Sequence, residues 1–405
     1  MADIVDRSFE MREAAPGPQG PGVLSFAVTW LGRWPLAQIA LYVGTFAMIA
    51  YLWTNLEANM ARLGLTPGFA FLNHAANFGI GEGLISFEAG DSYARAILVG
   101  LLNTVSVSLV GCVLATALGV AFGILRLSGN PLISRLSQVY VEGLRNTPLL
   151  LQLFVWSTLL HLLPNPRQAL SPAPGVLLSN RGLFLPSISA NGWGLPILAS
   201  AALLLALQGT WLTRRRQSVG PAPLAVVAAA TIVSTLVPFA VALLAGIDFQ
   251  PDVPALHGFN IIGGISLTPE YTALLLGLAV NASASIAETV RAGILSVQTG
   301  QWEAARALGL RPGQILRLVI LPQAFRVIIP VMTSSYLSLT KNSSLAVAIG
   351  YPELVSILNT SANVTGQALE VIVIMMATYL TLSLAVSLAM NAYNRRNMRK
   401  GGFGR

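Results

Sequence analysis

The chain has 405 residues, of which 54% are hydrophobic and 10% are charged. Ordinary soluble proteins carry roughly a quarter charged residues, so this composition excludes a typical soluble domain and indicates a membrane protein. The formal net charge of +8 comes from arginines that lie between apolar runs, which favours membrane topology over nucleic-acid binding. The single cysteine, Cys112, excludes a disulfide within the chain, and three scattered histidines without ligand spacing predict no metal site.

Apolar run lengths predict an all-α polytopic fold with about eight transmembrane helices, since a span needs ~20 mostly apolar residues. The predicted spans are 36–55, 95–125, 147–163, 194–212, 222–246, 271–293, 327–350 and 369–392. The polar residues before the first span lack the apolar region of a signal peptide, so we expect that span to be retained. The segments 165–193 and 247–270 are predicted to be exported loops.

The basic residues support an even number of crossings. With both termini in the cytoplasm, every lysine and arginine falls in a cytoplasmic segment apart from five. Those five are Arg62, Arg95, Arg167 and Arg181 outside, and Lys341 within a span. This distribution follows the positive-inside rule and predicts that both termini are cytoplasmic.

The segment 301–325, QWEAARALGLRPGQILRLVILPQAF, is charged and punctuated by Gly and Pro between two apolar runs. Gln301 to Leu308 consists of good helix formers, with Glu303 in its first turn. Gly309 lies where a left-handed residue ends a helix, and Leu310 is placed to contact the last turn as in a Schellman motif. The pattern predicts one short helix with a defined end.

A second, apolar helix is predicted to begin at Arg311-Pro312 and to end or kink at Pro322. A DNA-binding helix-turn-helix is disfavoured because the second helix is not basic. The first helix instead has a small-residue face of Ala304, Ala305 and Ala307, which suits close approach to a groove on another protein. We expect Trp302 and Leu308 to be the docking anchors.

Two pairs of charges lie at predicted cytoplasmic helix ends, Glu142 with Arg145 and Glu288 with Arg291. Each pair is three residues apart, a spacing that makes side chains neighbours on a helix. Both a structural ion pair and a cytoplasmic gate or docking contact are consistent with this pattern.

Lys341 is the strongest candidate for a solute path, because a cation within an apolar span is costly and usually faces a cavity or a partner. A helix break near Lys341-Asn342-Ser343-Ser344 would release backbone groups for solute. The weaker candidates are Asn281, Ser285 and Gln152. Structural pairing of Lys341, and interhelical hydrogen bonds of the others, remain open alternatives. Gly119 and Gly123 form a GxxxG pair, a signal of close helix packing.

The chain contains no GxxxxGK[ST] phosphate loop and no arrangement of catalytic residues. The prediction is therefore a chain that is not itself an enzyme and has no cofactor of its own. Any energy-driven process in which it takes part must draw on a partner chain or on an ion gradient.

Glu303-Ala304-Ala305, Gly309 and Val319-Ile320-Leu321-Pro322 resemble the EAA loop of bacterial ABC-importer permeases, with Val319 where isoleucine is usual. The stretches EGLRNTPLLLQLF, SIAETVRAGILSVQTGQWEAARALG and LTKNSSLA resemble the polar-amino-acid permease family. Length and layout are similar to the larger permease subunit of general L-amino-acid ABC transporters. The resemblance covers about 95–163 and 268–392.

The resemblance implies an ABC type I importer permease in a bacterial inner membrane that translocates amino acids, with L-amino acids of broad range as substrates. Glu303, Ala305 and Gly309 would transmit motion from an ATPase dimer that binds ATP-Mg. A second homologous permease chain and a periplasmic amino-acid-binding protein are the other implied partners. An ion-gradient-driven secondary transporter is the alternative, although it would be expected to bury coupling carboxylates near the midplane.

The predicted organisation has six segments. They are a cytoplasmic tail (1–35), an extra first span and loop (36–93), the first half of the permease core (94–165), inserted loops and a span pair (166–267), the second half of the permease core (268–393) with a cytoplasmic loop (295–326), and a basic tail (394–405).

Overall fold

The computed structural model describes residues 35–62, 68–190, 223–244 and 249–400, together with 200, 204–205, 207–212 and 215. The chain divides into two compact units, residues 1–69 and 70–405. In the first unit, helix α1 spans Pro35–Arg62. The site lies in the second unit.

The second unit is built mainly from helices. They are α2 (Tyr93–Leu125), α3 (Pro131–Arg145), α4 (Leu149–His161), α5 (Leu224–Leu244), α6 (Pro269–Leu295), α7 (Thr299–Ala307), α8 (Leu321–Asn342), α9 (Leu354–Thr365) and α10 (Ala368–Lys400). Side chains cap several starts: Ser92 accepts from the Arg95 N–H, Asn130 from the Leu132 N–H and Thr268 from the Tyr271 N–H. These caps satisfy backbone donors that a helix start leaves unpaired.

Among the described residues, five helical segments are long and apolar enough to cross a membrane. They are Leu36–Arg62, Tyr93–Leu125, Pro269–Leu295, Pro312–Ile349 and Ala368–Arg395. Leu149–His161 and Ala225–Pro238 are apolar but shorter, and the predicted span 194–212 lies largely outside the described residues. The described residues therefore do not confirm the predicted count of eight spans. Pro148 begins α4 and His161 ends it, which keeps that helix to 13 residues.

Helices α2 and α6 form a close pair at the centre of the second unit. A Cβ on Gly119 would lie 2.6 Å from the Cβ of Ile286, and one on Gly123 would lie 2.8 Å from the carbonyl oxygen of Ala287. Real Cβ atoms do not come this near, so the two helices can adopt their spacing because these positions lack a side chain. The GxxxG prediction of close packing is confirmed.

The two long loops contain short β-strands, which corrects the all-α prediction for these segments. The strands are β1 (Leu170–Ala173), β2 (Val176–Ser179), β3 (Gly182–Leu185), β4 (Ser187–Ala190), β5 (Phe249–Asp252), β6 (Ala255–His257), β7 (Asn260–Ile262) and β8 (Ile265–Leu267). One antiparallel sheet has the order β1-β2-β3-β8, and β4 pairs with β5 and β6 with β7. Strands of three or four residues are too short for alternation to reveal them in the sequence.

The β4–β5 pair brings together the two ends of the segment between them. Ala190 pairs with Phe249, and Ser187 pairs with Asp252. The chain therefore leaves the loop region at Ala190 and returns beside the same point at Phe249.

A buried carboxylate ties three helices together at the end of α6 that is remote from α7. Glu353 is fully buried, and its side chain accepts from the Ser356 N–H at 2.9 Å, the Tyr379 hydroxyl at 3.3 Å and the Thr104 hydroxyl at 3.4 Å. Burial raises the pKa of this carboxyl above its ordinary value, against the lowering effect of these hydrogen bonds. The contacts join α2, α9 and α10.

Candidate functional site

Helix α7 ends at a complete Schellman motif, as the sequence predicts. Gly309 has φ of 72°, its N–H donates to the carbonyl of Arg306 at 2.9 Å, and the Leu310 N–H donates to the carbonyl of Ala305 at 3.3 Å. Leu310 packs against the main hydrophobic core. The turn after the helix is thus fixed by two backbone hydrogen bonds and an apolar contact.

The exposed face of α7 consists of Gly300, Glu303, Ala304, Ala307 and Leu308, and Leu308 is 79% exposed. Ala304 and Ala307 lie on this face, but Ala305 is buried on the opposite side of the helix. The prediction that the three alanines share one face is therefore corrected.

The opposite side of α7 holds the helix to its own chain. Ala305 is 3% exposed within the main core, and Trp302 is half-buried against that core. The Gln323 amide donates to the Gln301 side-chain oxygen at 3.2 Å. Trp302 therefore anchors α7 to its own subunit, which corrects its predicted orientation as an external docking anchor.

After the turn at Gly309, a helical segment begins at Pro312 and continues into α8. The Arg311 N–H donates to the Gln314 side chain at 2.9 Å, and Ile315–Ile320 then forms a π-helical turn. Leu321 donates to the carbonyl of Leu316, five residues earlier, directly before Pro322. The widened turn accommodates a proline that would clash in a regular α-helix. Of the two outcomes predicted at Pro322, an end or a kink, the structure excludes the end, since Pro312–Ile349 is one span of 38 residues.

A polar cavity of about 320 Å³ lies between α6, α8 and the junction of α3 with α4. Hydroxyl and amide side chains from α6 and α8 supply most of its polar groups. They are Asn281, Ser285, Thr289, Ser334, Ser335, Ser338 and Asn342. Arg145 and Glu288 also line it. Such a lining offers hydrogen-bond donors and acceptors within a bundle whose spans are otherwise apolar.

The structure brings three of the predicted solute-path residues into this cavity, Asn281, Ser285 and Asn342. The α-helix also ends at Asn342 and continues as a 3-10 helix over Ser343–Ile349, so the helix changes type at the place where a break would release backbone groups. Lys341 is exposed and is not among the lining residues. Its spacing from Ser334 and Ser338 places it on the same face of the helix.

Three other predicted residues do not line the cavity. The Ser343 hydroxyl donates to the carbonyl of Thr340 at 2.7 Å, and the Ser344 hydroxyl donates to the carbonyl of Lys341 at 2.8 Å. The Gln152 amide donates to the carbonyls of Leu144 and Thr147 at 3.0 and 3.1 Å. These side chains serve local backbone groups at helix ends.

Sequence reasoning missed Ser334, Ser335 and Ser338. Together with Asn342 they lie at positions i, i+1, i+4 and i+8, the spacing of one helix face. This periodic polar stripe within an apolar run was the available signal.

An ionic cluster lies at the α7-proximal end of the cavity. Glu288 pairs with Arg291, at 2.5 Å between carboxylate and guanidinium, and also with Arg126. The predicted Glu288–Arg291 pair is therefore confirmed.

The other predicted pair, Glu142 with Arg145, is wrong. Glu142 lies 3.9 Å from the Arg126 guanidinium and accepts from the Gln138 amide at 2.7 Å. Arg126 directly follows the end of α2, and its side chain lies between α3 and α6. It takes the place beside the Glu142 carboxylate that was predicted for Arg145. Arg145 makes no hydrogen bond or ion pair within the described residues of the chain, and it faces the cavity.

We expect Glu288→Gln to lower the free energy of unfolding by about 2 kcal/mol, since it removes two partly buried charge-assisted contacts and leaves two arginines facing each other. Glu142→Gln is the matched control. Its carboxylate is 53% exposed and lies 3.9 Å from its arginine, so we expect a loss below about 0.5 kcal/mol. Melting of the detergent-solubilised protein measures both; equal losses would contradict the assigned network.

Comparison with known proteins gives one consistent family. The model of the binding-protein-dependent transport system inner membrane component matches residues 224–400. YhdX of Escherichia coli (strain K12), which its name places among amino-acid ABC transporter permeases, is 46% identical over 93% of this chain and 96% of its own.

Two further relatives extend the match. The general L-amino acid transport system permease protein AapQ of Rhizobium johnstonii is 42% identical over 89% of this chain and 90% of its own. The glutamate/glutamine/aspartate/asparagine transport system permease protein BztB of Rhodobacter capsulatus is 39% identical over 88% of this chain and 92% of its own. The chain belongs to the family of amino-acid ABC transporter permeases, the inner membrane components of binding-protein-dependent transport systems.

Proposed function

We propose that this chain is the transmembrane permease subunit of an ATP-driven importer that carries amino acids, with L-amino acids of broad range as substrates. The observation that carries the proposal is the continuous path from α7 through the π-helical turn into the cavity-lining face of α8. A displacement of α7 is thereby transmitted to Ser334, Ser338 and Asn342. Family membership favours this function over an ion-gradient-driven carrier.

The exposed face of α7 is the proposed docking surface for a separate ATPase. Two alanines and Gly300 allow close approach of a groove, and Leu308 projects an apolar side chain from the same face. Glu303 adds one negative charge, and it has no partner within the described residues. The Schellman turn and the packing of Trp302 against the core fix α7 to the rest of the subunit. A rigidly attached helix can pass on a displacement from its exposed face.

The cavity between α6 and α8 is the proposed solute path. Its hydroxyl and amide groups suit the polar backbone portion common to all amino acids, and Arg145 offers a cation for a carboxylate. Lys341 continues the same helix face toward the other end of the span, and we propose that it meets the solute carboxylate there. The lining is rich in short neutral groups, which is consistent with broad selectivity.

The remaining components of the transporter are proposed as follows. ATP-Mg binds to an ATPase dimer, a periplasmic binding protein delivers the amino acid, and a second permease chain completes the membrane domain. The protein lies in the bacterial inner membrane with eight crossings and both termini in the cytoplasm, as the arginine distribution supports. The organisation into six segments given above accompanies this topology, and the closed β4–β5 pair supports an insertion within 166–267.

The test is amino-acid uptake by proteoliposomes that contain this chain with its cognate ATPase, second permease and binding protein. We expect ATP-dependent uptake by the wild type and a loss of at least tenfold for Glu303→Lys, together with weaker co-purification of the ATPase, because a reversed charge in a docking face costs affinity and fit. Arg135→Glu, an exposed charge reversal on α3, is the control and should transport normally.

The outcomes separate the two elements of the proposal. Absence of ATP-dependent uptake by the wild-type assembly would contradict the proposed function itself. Uptake by the wild type that Glu303→Lys leaves unchanged would remove α7 from the ATPase interface.

A further inference from the structure

A second and larger cavity, of about 840 Å³, lies on the side of α8 that faces away from the polar cavity. Its walls come from α2, α6, α8 and α10, and they are mainly apolar. Representative residues are Val120, Ile294, Phe325 and Met332. This volume is in the upper half of the range for ligand sites, about 300–1,000 Å³.

The cavity lies at the ends of the helices that are nearest to α7. Ile124 is in the last turn of α2, Ile294 is in the last turn of α6, and Tyr393 is near the end of α10. From this end the lining extends along the spans to Met332 and Tyr336. By the arginine distribution this is the cytoplasmic end of the spans, so the cavity opens at the depth of the inner leaflet.

Arg317 and Arg326 are the charged residues of the cavity, and no carboxylate is among the described residues that line it. Arg317 makes no hydrogen bond or ion pair within the portion of the chain that the structure describes. At the far end of the cavity, the hydroxyls of Tyr336 and Thr116 form a hydrogen bond of 2.7 Å with each other. The Tyr336 hydroxyl therefore already has a partner within the protein. One end of the cavity is thus basic, and its body is apolar.

We propose that this cavity binds an anionic phospholipid of the cytoplasmic leaflet. The arginines contact the phosphate, and the acyl chains lie along Val120, Phe325 and Met332. Basic pockets between transmembrane helices on the cytoplasmic side suit anionic headgroups. A soluble anion would satisfy Arg317 but would leave the apolar walls unfilled.

The position of Arg317 gives the lipid a structural consequence. Arg317 belongs to the π-helical turn between α7 and α8, the connection through which α7 displacement is transmitted. A lipid phosphate on Arg317 would restrain that turn. Lipid binding is defined without reference to transport, whereas its assignment to the cytoplasmic leaflet rests on the topology given under the proposed function.

The experiment measures lipid retained by the full-length chain in detergent, by mass spectrometry after exchange into mixed micelles with either phosphatidylglycerol or phosphatidylcholine. We expect preferential retention of phosphatidylglycerol. Arg317→Ala with Arg326→Ala should weaken it by about 25-fold, since each basic residue near an anionic surface contributes about fivefold. The single variant Arg317→Glu should also lower retention of phosphatidylglycerol. Because it changes one exposed residue, it tests the proposal even if the double variant folds poorly.

Arg135→Ala with Arg306→Ala is the matched control, because these exposed arginines lie outside the cavity. Retention by the control should equal that of the wild type. Equal retention of the two lipids, or full retention of phosphatidylglycerol by Arg317→Glu, would overturn the proposal. Loss of the retained phosphatidylglycerol on addition of inorganic phosphate would assign the arginines to a soluble anion and would also overturn the proposal.

Discussion

Replacement of Gly119 with leucine is expected to separate α2 from α6 and to lower the free energy of unfolding by about 3 kcal/mol. The added Cβ would lie 2.6 Å from both the Cβ and the Cγ2 of Ile286 and 2.9 Å from the carbonyl oxygen of Ser283. A backbone oxygen cannot rotate away as a flexible side chain can, so the helices themselves must move. Overpacking of a tight interface costs about 1–3 kcal/mol and occasionally more.

A shift of α6 would also change the polar cavity. Asn281 and Ser285 lie on the side of α6 that faces this cavity, and the other side of α6 packs on α2. Melting of the detergent-solubilised protein is the direct measurement. Gly143→Leu in α3 is the matched control, because a Cβ at Gly143 meets nothing within 4 Å. We expect the control to be neutral or slightly stabilising, since leucine favours the helix over glycine by roughly 1 kcal/mol. Equal melting of the two variants would contradict the tight α2–α6 contact.

The features predicted correctly from sequence depend on local backbone geometry or on short spacings. Gly309 has the left-handed conformation required at a Schellman end, and Gly119 with Gly123 provides a close helix contact. The Glu288–Arg291 pair follows from a three-residue spacing within one helix. Each of these patterns needs few residues and no knowledge of the tertiary arrangement.

The failures concern contacts that the tertiary arrangement decides. Arg126 is distant in sequence from Glu288 and Glu142, yet packing of α2 against α3 and α6 places its guanidinium beside both carboxylates. The π-helical turn before Pro322 is another case, because proline predicts a break but a widened turn removes the clash. The orientation of Trp302 depends on which side of α7 contacts its own core, and spacing alone does not determine that side.

The polar cavity contains both residues that were predicted from the sequence and residues that were not. Asn281, Ser285 and Asn342 were recognisable as costly polar groups in spans. The serines of α8 were not singled out, because isolated serines are common in transmembrane helices. Their role depends on α8 continuing through Pro322, which brings Ser334 and Ser338 opposite α6.

We expect Ser338→Trp to reduce ATP-driven uptake by at least tenfold while the ATPase still co-purifies. An indole at this position would occupy much of a cavity of about 320 Å³ that Ser338 lines, and it would displace the polar groups that are proposed to contact solute. The change lies on α8 and leaves the exposed face of α7 intact, so docking should persist. Uptake and ATPase association are measured on the same reconstituted complex.

Two variants distinguish obstruction of the cavity from general disturbance. Ser338→Ala removes the hydroxyl without filling the space, so we expect uptake to fall no more than about fivefold, the value of one hydrogen bond of ~1 kcal/mol. Ala385→Trp places the same bulk on an exposed position of α10 outside the cavity and should transport normally. Normal uptake by Ser338→Trp in an assembled complex would exclude this cavity from the path. If uptake is lost in Ser338→Trp but kept in both controls, then the solute passes between α6 and α8, along the helix that is proposed to move with α7.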